Sequence, residues 1–223
     1  VSFYHSSQIS LVQRRSKSTM IDNGAFSAWM ANLKSGGNAV FDAAYWSRYY
    51  EFVRKWLRPE TDWFVIPDVI DAGTQEQDAL IRECPADLMP WAVPVWHMDE
   101  PISRLSSLCE RFDRVCVGST AEYAVVGSTE WRQRMDKAFD ELVGVFGKVP
   151  KIHMLRGLQC LLPTYDYPFF SVDSTNIGRN HNRLKGHGDL YMWAVLQMIN
   201  RWDRMNCPAG WVPRDQRQLK LFA

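Results

Sequence analysis

Six short runs, mostly apolar, separated by stretches with helical periodicity constrain the fold more than any other feature. They are Thr19–Ile21, Trp63–Ile66, Ala92–Val95, Arg114–Val117, Lys151–Met154 and Phe169–Val172. A strand with one wet face alternates apolar and polar residues, whereas a strand covered on both faces reads as a continuous apolar run. These runs are continuous, so they read as buried parallel strands. Their starts recur roughly every 20–45 residues, the rhythm of strand–helix units.

The intervening stretches fit helices. Asp42 to Trp56 places Tyr45, Tyr49, Phe52, Val53 and Trp56 at helical spacing. Gln75 to Glu83 is a second helix. Asp99-Glu100-Pro101 opens a third, with acids in the first turn and Pro near its first position. Ser128-Thr129-Glu130 caps a helix that runs to about Phe146, and Asp189 to Asn206 closes the series. The alternation predicts an α/β fold, with a TIM-like (β/α) barrel as the first choice. Six or seven strands are secure, so a reduced or partly open barrel fits the count. A doubly wound sheet is the alternative, but no GxGxxG follows the first strand. No low-complexity linker divides the chain. One domain is expected over 1–206, followed by an irregular tail over 207–223.

Composition excludes several classes of function. Hydrophobic residues make up 46% and charged residues 23%, which excludes wholesale disorder. Lys and Arg number 26 against 25 Asp and Glu, a net charge of +1. That excludes a polybasic protein and leaves room for a local basic face. No apolar run approaches the ~18 residues of a membrane span, so no membrane partner is expected. The N-terminal stretch lacks the order of a signal peptide. The five cysteines are widely spaced with no CxxC pair, which argues against a zinc ribbon and fits a reducing, cytoplasmic setting.

Polar residues follow nearly every apolar run. Asp22-Asn23-Gly24 follow the first, Asp68 and Asp71 the second, and Trp96 and His97 the third. Gly118-Ser119, Arg156-Gly157 and Asp173-Ser174-Thr175 follow the others. Parallel strands bring such ends to one face, where barrel enzymes carry their active sites. Any one Asp there reads most simply as a helix cap or turn residue; the argument rests on the set. Paired carboxylates without a metal motif suit acid/base or nucleophilic work at an anomeric carbon, with a sugar or a nucleobase as leaving group.

These segments resemble the tRNA-guanine transglycosylase superfamily. Asp22-Asn23-Gly24-Ala25-Phe26 is similar to its Asp-Ser-Gly-Gly-Phe segment, and Ile66-Pro67-Asp68 to its base-recognition aspartate. Val117-Gly118-Ser119 resembles its purine-contacting Gly-Gly loop. Phe170 to Thr175, with Gly178-Arg179-Asn180 after it, resembles the segment of its nucleophilic aspartate. The order along the chain matches from about Met20 to Asn180. The resemblance implies a TIM barrel and exchange of guanine for a 7-deazaguanine through a covalent aspartyl-nucleoside intermediate. It implies Asp173 as nucleophile, Asp22 as general acid/base and Asp68 as reader of the guanine edge. Asn23, Phe26, Asp71, Trp96, His97, Gly118 and Ser119 are the other expected substrate contacts. Trp96-His97 stands where the family has Gln-Gly. The family's set of three Cys and one His is not matched, so no zinc and no cofactor are expected. The short chain and the missing zinc set resemble the DpdA-type branch of bacteria and phages, which acts on DNA. For a phage-encoded chain the setting is host cytoplasm.

Arg179, Asn180, Arg183 and Lys185 follow the expected nucleophile and could track phosphates; a solvated loop is the plain alternative. A duplex base cannot reach a barrel-top pocket without flipping. The terminal Gln218-Leu219-Lys220-Leu221-Phe222 resembles the peptide with which bacterial proteins bind the sliding clamp, Gln218, Leu219, Leu221 and Phe222 being its contacts. Leu and Phe suit an apolar groove, and Gln fixes register. Expected partners are therefore DNA, a free 7-deazaguanine base and the clamp. A tRNA substrate, a DNA or nucleoside glycosidase, and a non-catalytic nucleic-acid-binding barrel are the alternatives.

Overall fold

The computed structural model describes residues 1–35, 42–70, 72–174, 186, 188 and 190–214. It divides into two compact units, Val1–Val95 and Trp96–Ala223, where the sequence predicts one domain over 1–206. The architecture is mixed α/β with parallel sheets.

The first unit contains α1 (Ile9–Arg15), β1 (Met20–Ile21), α2 (Ala25–Ser35), α3 (Ala43–Trp56), β2 (Trp63–Val65), α4 (Thr74–Arg82) and β3 (Ala92–Val93). Its sheet has the order β1-β2-β3, with Ile21, Phe64 and Ala92 in lateral register. Ahead of α1, Ser2 forms an isolated parallel bridge with Asp22, so one more extended segment lies beside β1. α3 starts where the sequence predicts, because the Asp42 carboxylate accepts the Tyr45 N–H at 2.7 Å. Its buried side chains Trp46, Tyr49, Tyr50 and Val53 form one helical stripe. The Tyr49 hydroxyl lies 2.7 Å from the Val65 carbonyl and 3.2 Å from that of Ile21, tying α3 to two adjacent strands. Burial, reinforced by the negative charge of Asp22, pushes this phenol well above its ordinary range, so it stays a donor.

Asp62, ahead of β2, is 4% exposed. It accepts the Thr19 N–H at 2.7 Å, Arg58 Nη2 at 2.8 Å and Gln13 Nε2 at 3.0 Å. Burial pushes its carboxyl up, but the Arg58 guanidinium and the Thr19 and Arg58 N–H groups outweigh that and hold it below the ordinary 3.8. A depressed folded-state pKa stabilises above the unfolded value and is lost as pH falls through the folded one. Denaturation midpoints should therefore fall as the pH drops below about 4, and Asp62→Asn should flatten that part of the profile.

The second unit carries β4 (Val95–His97, its first residue at the boundary), α5 (Ile102–Arg111), β5 (Arg114–Gly118), α6 (Thr129–Phe146), β6 (Lys151–Met154), β7 (Ser171–Val172) and α7 (Tyr191–Asp203). Its sheet order is β4-β5-β6-β7, with β5, β6 and β7 parallel. In neither unit does the strand order reverse, as it does in a doubly wound sheet.

Four elements differ from expectation. The predicted strand Ala92–Val95 is split at Pro94, which has no N–H to give a ladder, so β3 and β4 belong to different sheets. His97 and Trp96 therefore lie within a strand and not after one. Asp99 and Glu100 stand outside α5, which starts after Pro101. Asp99 accepts from the Thr120 hydroxyl, and Glu100 accepts from His97 N–H and Arg104. α1 and α2 are helices that the apolar periodicity does not announce.

α6 follows its caps. The Ser128 hydroxyl accepts the Trp131 N–H at 3.1 Å, and Gly147, at φ 67°, ends the helix in the left-handed region. Ser128→Ala should cost about 1 kcal/mol of stability in chemical denaturation. One face of α6 meets an aromatic cluster of Trp131, Phe139, Tyr167, Phe169 and Trp211. The Trp211 indole stacks on Tyr167 at 5.4 Å and 11°, and its N–H donates to Asp140 at 2.7 Å. The described part of the expected tail, residues 207–214, packs back onto the second unit through Trp211. No described helix is long and apolar enough to cross a membrane.

Candidate functional site

Polar side chains gather at the strand ends of each unit. In the first, the Asp22 carbonyl accepts the Phe3 N–H at 2.8 Å, which fixes its backbone while its side chain remains part-exposed. Asn23 is 1% exposed and joins the ends of β1 and β2. Its amide donates to the Ile66 carbonyl at 2.9 Å and to Asp68 Oδ1 at 2.7 Å, while its own oxygen accepts the Ala25 N–H. Both amide hydrogens are committed within the protein. Asn23 thus holds Asp68. Asp68 is nearly buried, at 9% exposure. Gly24 sits at φ 81°, and a Cβ there would come within 2.9 Å of the Tyr4 backbone N and Cβ, so only glycine makes this turn. Phe26 lies in the first turn of α2 and is exposed.

In the second unit the register sorts the side chains onto two faces. Met98 N–H donates to the Gly118 carbonyl at 3.0 Å, which sets His97 opposite Gly118. Cys116, His153 and Ser171 are lateral neighbours across β5, β6 and β7. His97, Cys116, His153 and Ser171 therefore share one face. The opposite face, with Trp96, Val117 and Met154, is the one packed by helix. The Arg134 guanidinium of α6 lies 5.5 Å over the Trp96 ring, and the Trp131 indole donates to the Ser119 hydroxyl at 3.1 Å.

That sorting also places Trp96 and Ser119. Trp96 is fully buried, with its indole N–H donating to the Pro101 carbonyl, and Ser119 is held by Trp131. Both build the helix-packed wall, because alternation along a strand sends their side chains away from the His97 face. His97 is on the polar face and 5% exposed. Its Nδ1 lies 4.0 Å from Glu100 Oε2, an oxygen that also accepts the His97 N–H at 2.9 Å and Arg104 Nη1 at 2.9 Å.

Asp173 follows β7, its N–H donating to the Met154 carbonyl at 3.3 Å. Its Oδ1 accepts the Arg156 N–H and lies 3.6 Å from His153 Nε2. Arg156 presents that N–H from a left-handed conformation, φ 55°, beside Gly157, where a Cβ would collide with the Met154 side chain at 2.2 Å. Among the described residues, both side-chain contacts of Asp173 use Oδ1, which leaves Oδ2 uncommitted. His153, at 3% exposure, is linked on its other side to Ser171, with Nδ1 2.8 Å from the hydroxyl.

A serine, a histidine and an aspartate in line invite comparison with hydrolytic triads, but here the serine and the aspartate are both part-exposed. In a triad the hydroxyl meets substrate and the carboxylate is buried. Here the Asp173 side chain is 33% exposed and the His153 side chain 4%. Asp173 Oδ1 is anchored and, among the described residues, Oδ2 is uncommitted, an arrangement compatible with nucleophilic use of the carboxylate.

No family model, curated protein or solved structure matches this chain. Its chemistry is read from its own residues. Among the described residues, no group of three or more His, Cys, Asp or Glu could hold a metal ion.

The expected catalytic residues are divided between the units, Asp22 in the first and Asp173 in the second. Asp71, Arg179, Asn180, Arg183, Lys185, Gln218, Leu219, Leu221 and Phe222 lie outside the described residues. Sequence reasoning missed His153 and Ser171. The available signal was a lone imidazole inside the run Lys151–Met154 and a hydroxyl two residues before Asp173.

Proposed function

We propose that the protein is a pentosyltransferase, a DNA guanine transglycosylase that exchanges guanine for a 7-deazaguanine (preQ0-like) base. The observation that carries this reading is Asp173, a part-exposed carboxylate at a strand end with Oδ1 anchored and Oδ2 uncommitted among the described residues. Within each unit the strands are added in sequence order, β1-β2-β3 and β4-β5-β6-β7, which supports the strand–helix alternation that a TIM-like barrel requires. The buried Asp68, held by Asn23, supports a fixed acceptor for the amino edge of a guanine-like base. The order of the motifs from Asp22 to Asp173 supports the same chemistry.

In the proposed reaction Asp173 Oδ2 bonds to C1′ as the C1′–N9 bond breaks. The bonding pair leaves with guanine, which takes a proton from a general acid, the role that the family resemblance implies for Asp22. The incoming 7-deazaguanine then gives its N9 proton back to that group and attacks C1′, and Asp173 leaves as a carboxylate. Nothing is oxidised or reduced, and no metal is needed to balance either step. A flipped or single-stranded nucleotide is the substrate form. The terminal Gln218–Phe222 peptide belongs to this reading as a link to the replication clamp, and it favours DNA over tRNA.

The test is a base-exchange assay on guanine-labelled duplex DNA, single-stranded DNA and tRNA, with and without 7-cyano-7-deazaguanine, nucleosides being identified by mass spectrometry. Deazaguanine appearing in DNA supports the proposal. Incorporation into tRNA alone moves the substrate; release of guanine without replacement makes the enzyme a glycosidase; no release from any nucleic acid overturns the enzymatic reading.

A further inference from the structure

The imidazole between Ser171 and Asp173 is built into the sheet. His153 and Ser171 are lateral partners in the β6–β7 ladder, so their approach at 2.8 Å follows from backbone register. The ring is 3% exposed and its Nε2 lies 3.6 Å from Asp173 Oδ1. A neutral imidazole carries one proton, and Ser171 and Asp173 both bear on where it sits. With the proton on Nδ1, the Nε2 lone pair faces a carboxylate oxygen, which is repulsive. With the proton on Nε2, the Ser171 hydroxyl donates to Nδ1 and the N–H faces the carboxylate.

We propose that His153 is a positioning residue for Asp173, held by the Ser171 hydroxyl in the Nε2–H form so that it favours the free carboxylate over the covalent ester. The proposal rests on Asp173 being the nucleophile. At 3.6 Å the N–H is beyond hydrogen-bond length but close enough to act on the charge. Together with the Arg156 N–H it concentrates charge stabilisation on Oδ1, which turns Oδ2 toward attack. When the carboxylate leaves C1′ its negative charge returns, and the same two donors stabilise it. The ester, whose Oδ1 is a neutral carbonyl oxygen, gains less from them. His153 therefore keeps the covalent intermediate from becoming a resting state.

This predicts a signature that a merely structural role does not give. His153→Phe, which removes the N–H, should slow base exchange roughly threefold to tenfold, less than the loss of a full hydrogen bond to a charged group. The fraction of enzyme carrying the nucleoside should rise at the same time, read as adduct mass after a denaturing quench of a reaction with a guanine-containing oligonucleotide. Ser171→Ala should shift both readouts in the same directions, and Ser171→Thr, which keeps the hydroxyl on a strand-compatible residue, should restore them. A lower exchange rate with an unchanged or lower adduct fraction overturns the proposal.

A second measurement needs no substrate. Long-range ¹H–¹⁵N spectra of the full chain labelled at histidine report which ring nitrogen carries the proton. His153 should be in the Nε2–H form in the wild type and should lose that preference in Ser171→Ala. An Nδ1–H form in the wild type, or a form indifferent to Ser171, overturns the proposal whatever the activity. Absence of exchange in the wild type with the expected tautomer counts against the transglycosylase reading alone.

Discussion

Asp173→Asn should abolish base exchange, with a loss of about 10³-fold or more, while the protein stays folded. The carbonyl oxygen of the asparagine can still accept the Arg156 N–H that Asp173 Oδ1 accepts. The amide cannot supply a charged oxygen to C1′, and no covalent nucleoside should be recovered from the variant. Nothing about the position makes it essential to the core, since the side chain is part-exposed. Steady-state exchange and intact mass after a denaturing quench are the two measurements. A variant that keeps more than about a tenth of the activity would mean that Asp173 is not the nucleophile, because residual catalysis without one comes only from binding and electrostatics.

The largest stability effect is expected at Trp131. Its ring is fully buried, with centroids 5.2 Å from Tyr167, 6.2 Å from Tyr165 and 6.5 Å from Phe169. Truncation to Ala should cost about 3–5 kcal/mol, the range for large aromatic side chains removed from cores. The Ser119 hydroxyl would lose its indole donor as well. For a chain of this size the loss corresponds to a fall in melting temperature of roughly 6–20 °C. Trp131→Phe should cost less, since it keeps most of the apolar contact. A loss below about 1 kcal/mol for the Ala variant would mean that the cluster relaxes into the space, and that α6 is held by other contacts.

Much of the fold was legible because burial on both faces leaves a direct trace in the sequence. Phe64-Val65 and Val115 to Val117 are buried as their uninterrupted apolar character demands, and Ile152 and Met154 are buried on either side of His153. α3 and α6 were legible at their ends, where Asp42 and Ser128 each accept a backbone N–H. The split at Pro94 was less visible. The two valines around it look like one strand, and only the proline's missing donor separates them. Within the candidate site, Asp173 and Asp68 were legible as carboxylates after strands. The difference between a contact residue and a wall residue was not. Trp96 and His97 are adjacent in sequence, yet alternation puts the indole under Arg134 and the imidazole on the opposite face. Asn23 looked like a recognition residue because its neighbours did; its hydrogen bonds show that it serves Asp68. His153 was hidden by its own position, since a buried histidine in an apolar strand gives no outward sign of a partner 18 residues away.

The aromatic cluster also has a consequence for the order in which the protein is made. The first unit is complete once its initial 95 residues are available, because its sheet and the α3 stripe lie within them. The second unit keeps a gap beside Phe139 and Tyr167 until Trp211 arrives, more than a hundred residues after the first unit. During synthesis at about 5–20 residues per second, the first unit can close while the second remains open for several seconds more. A chain stopped before residue 211 would present bare aromatic rings to solvent, a ready target for chaperones and proteases. Intact molecules are thereby distinguished from broken ones by a single indole.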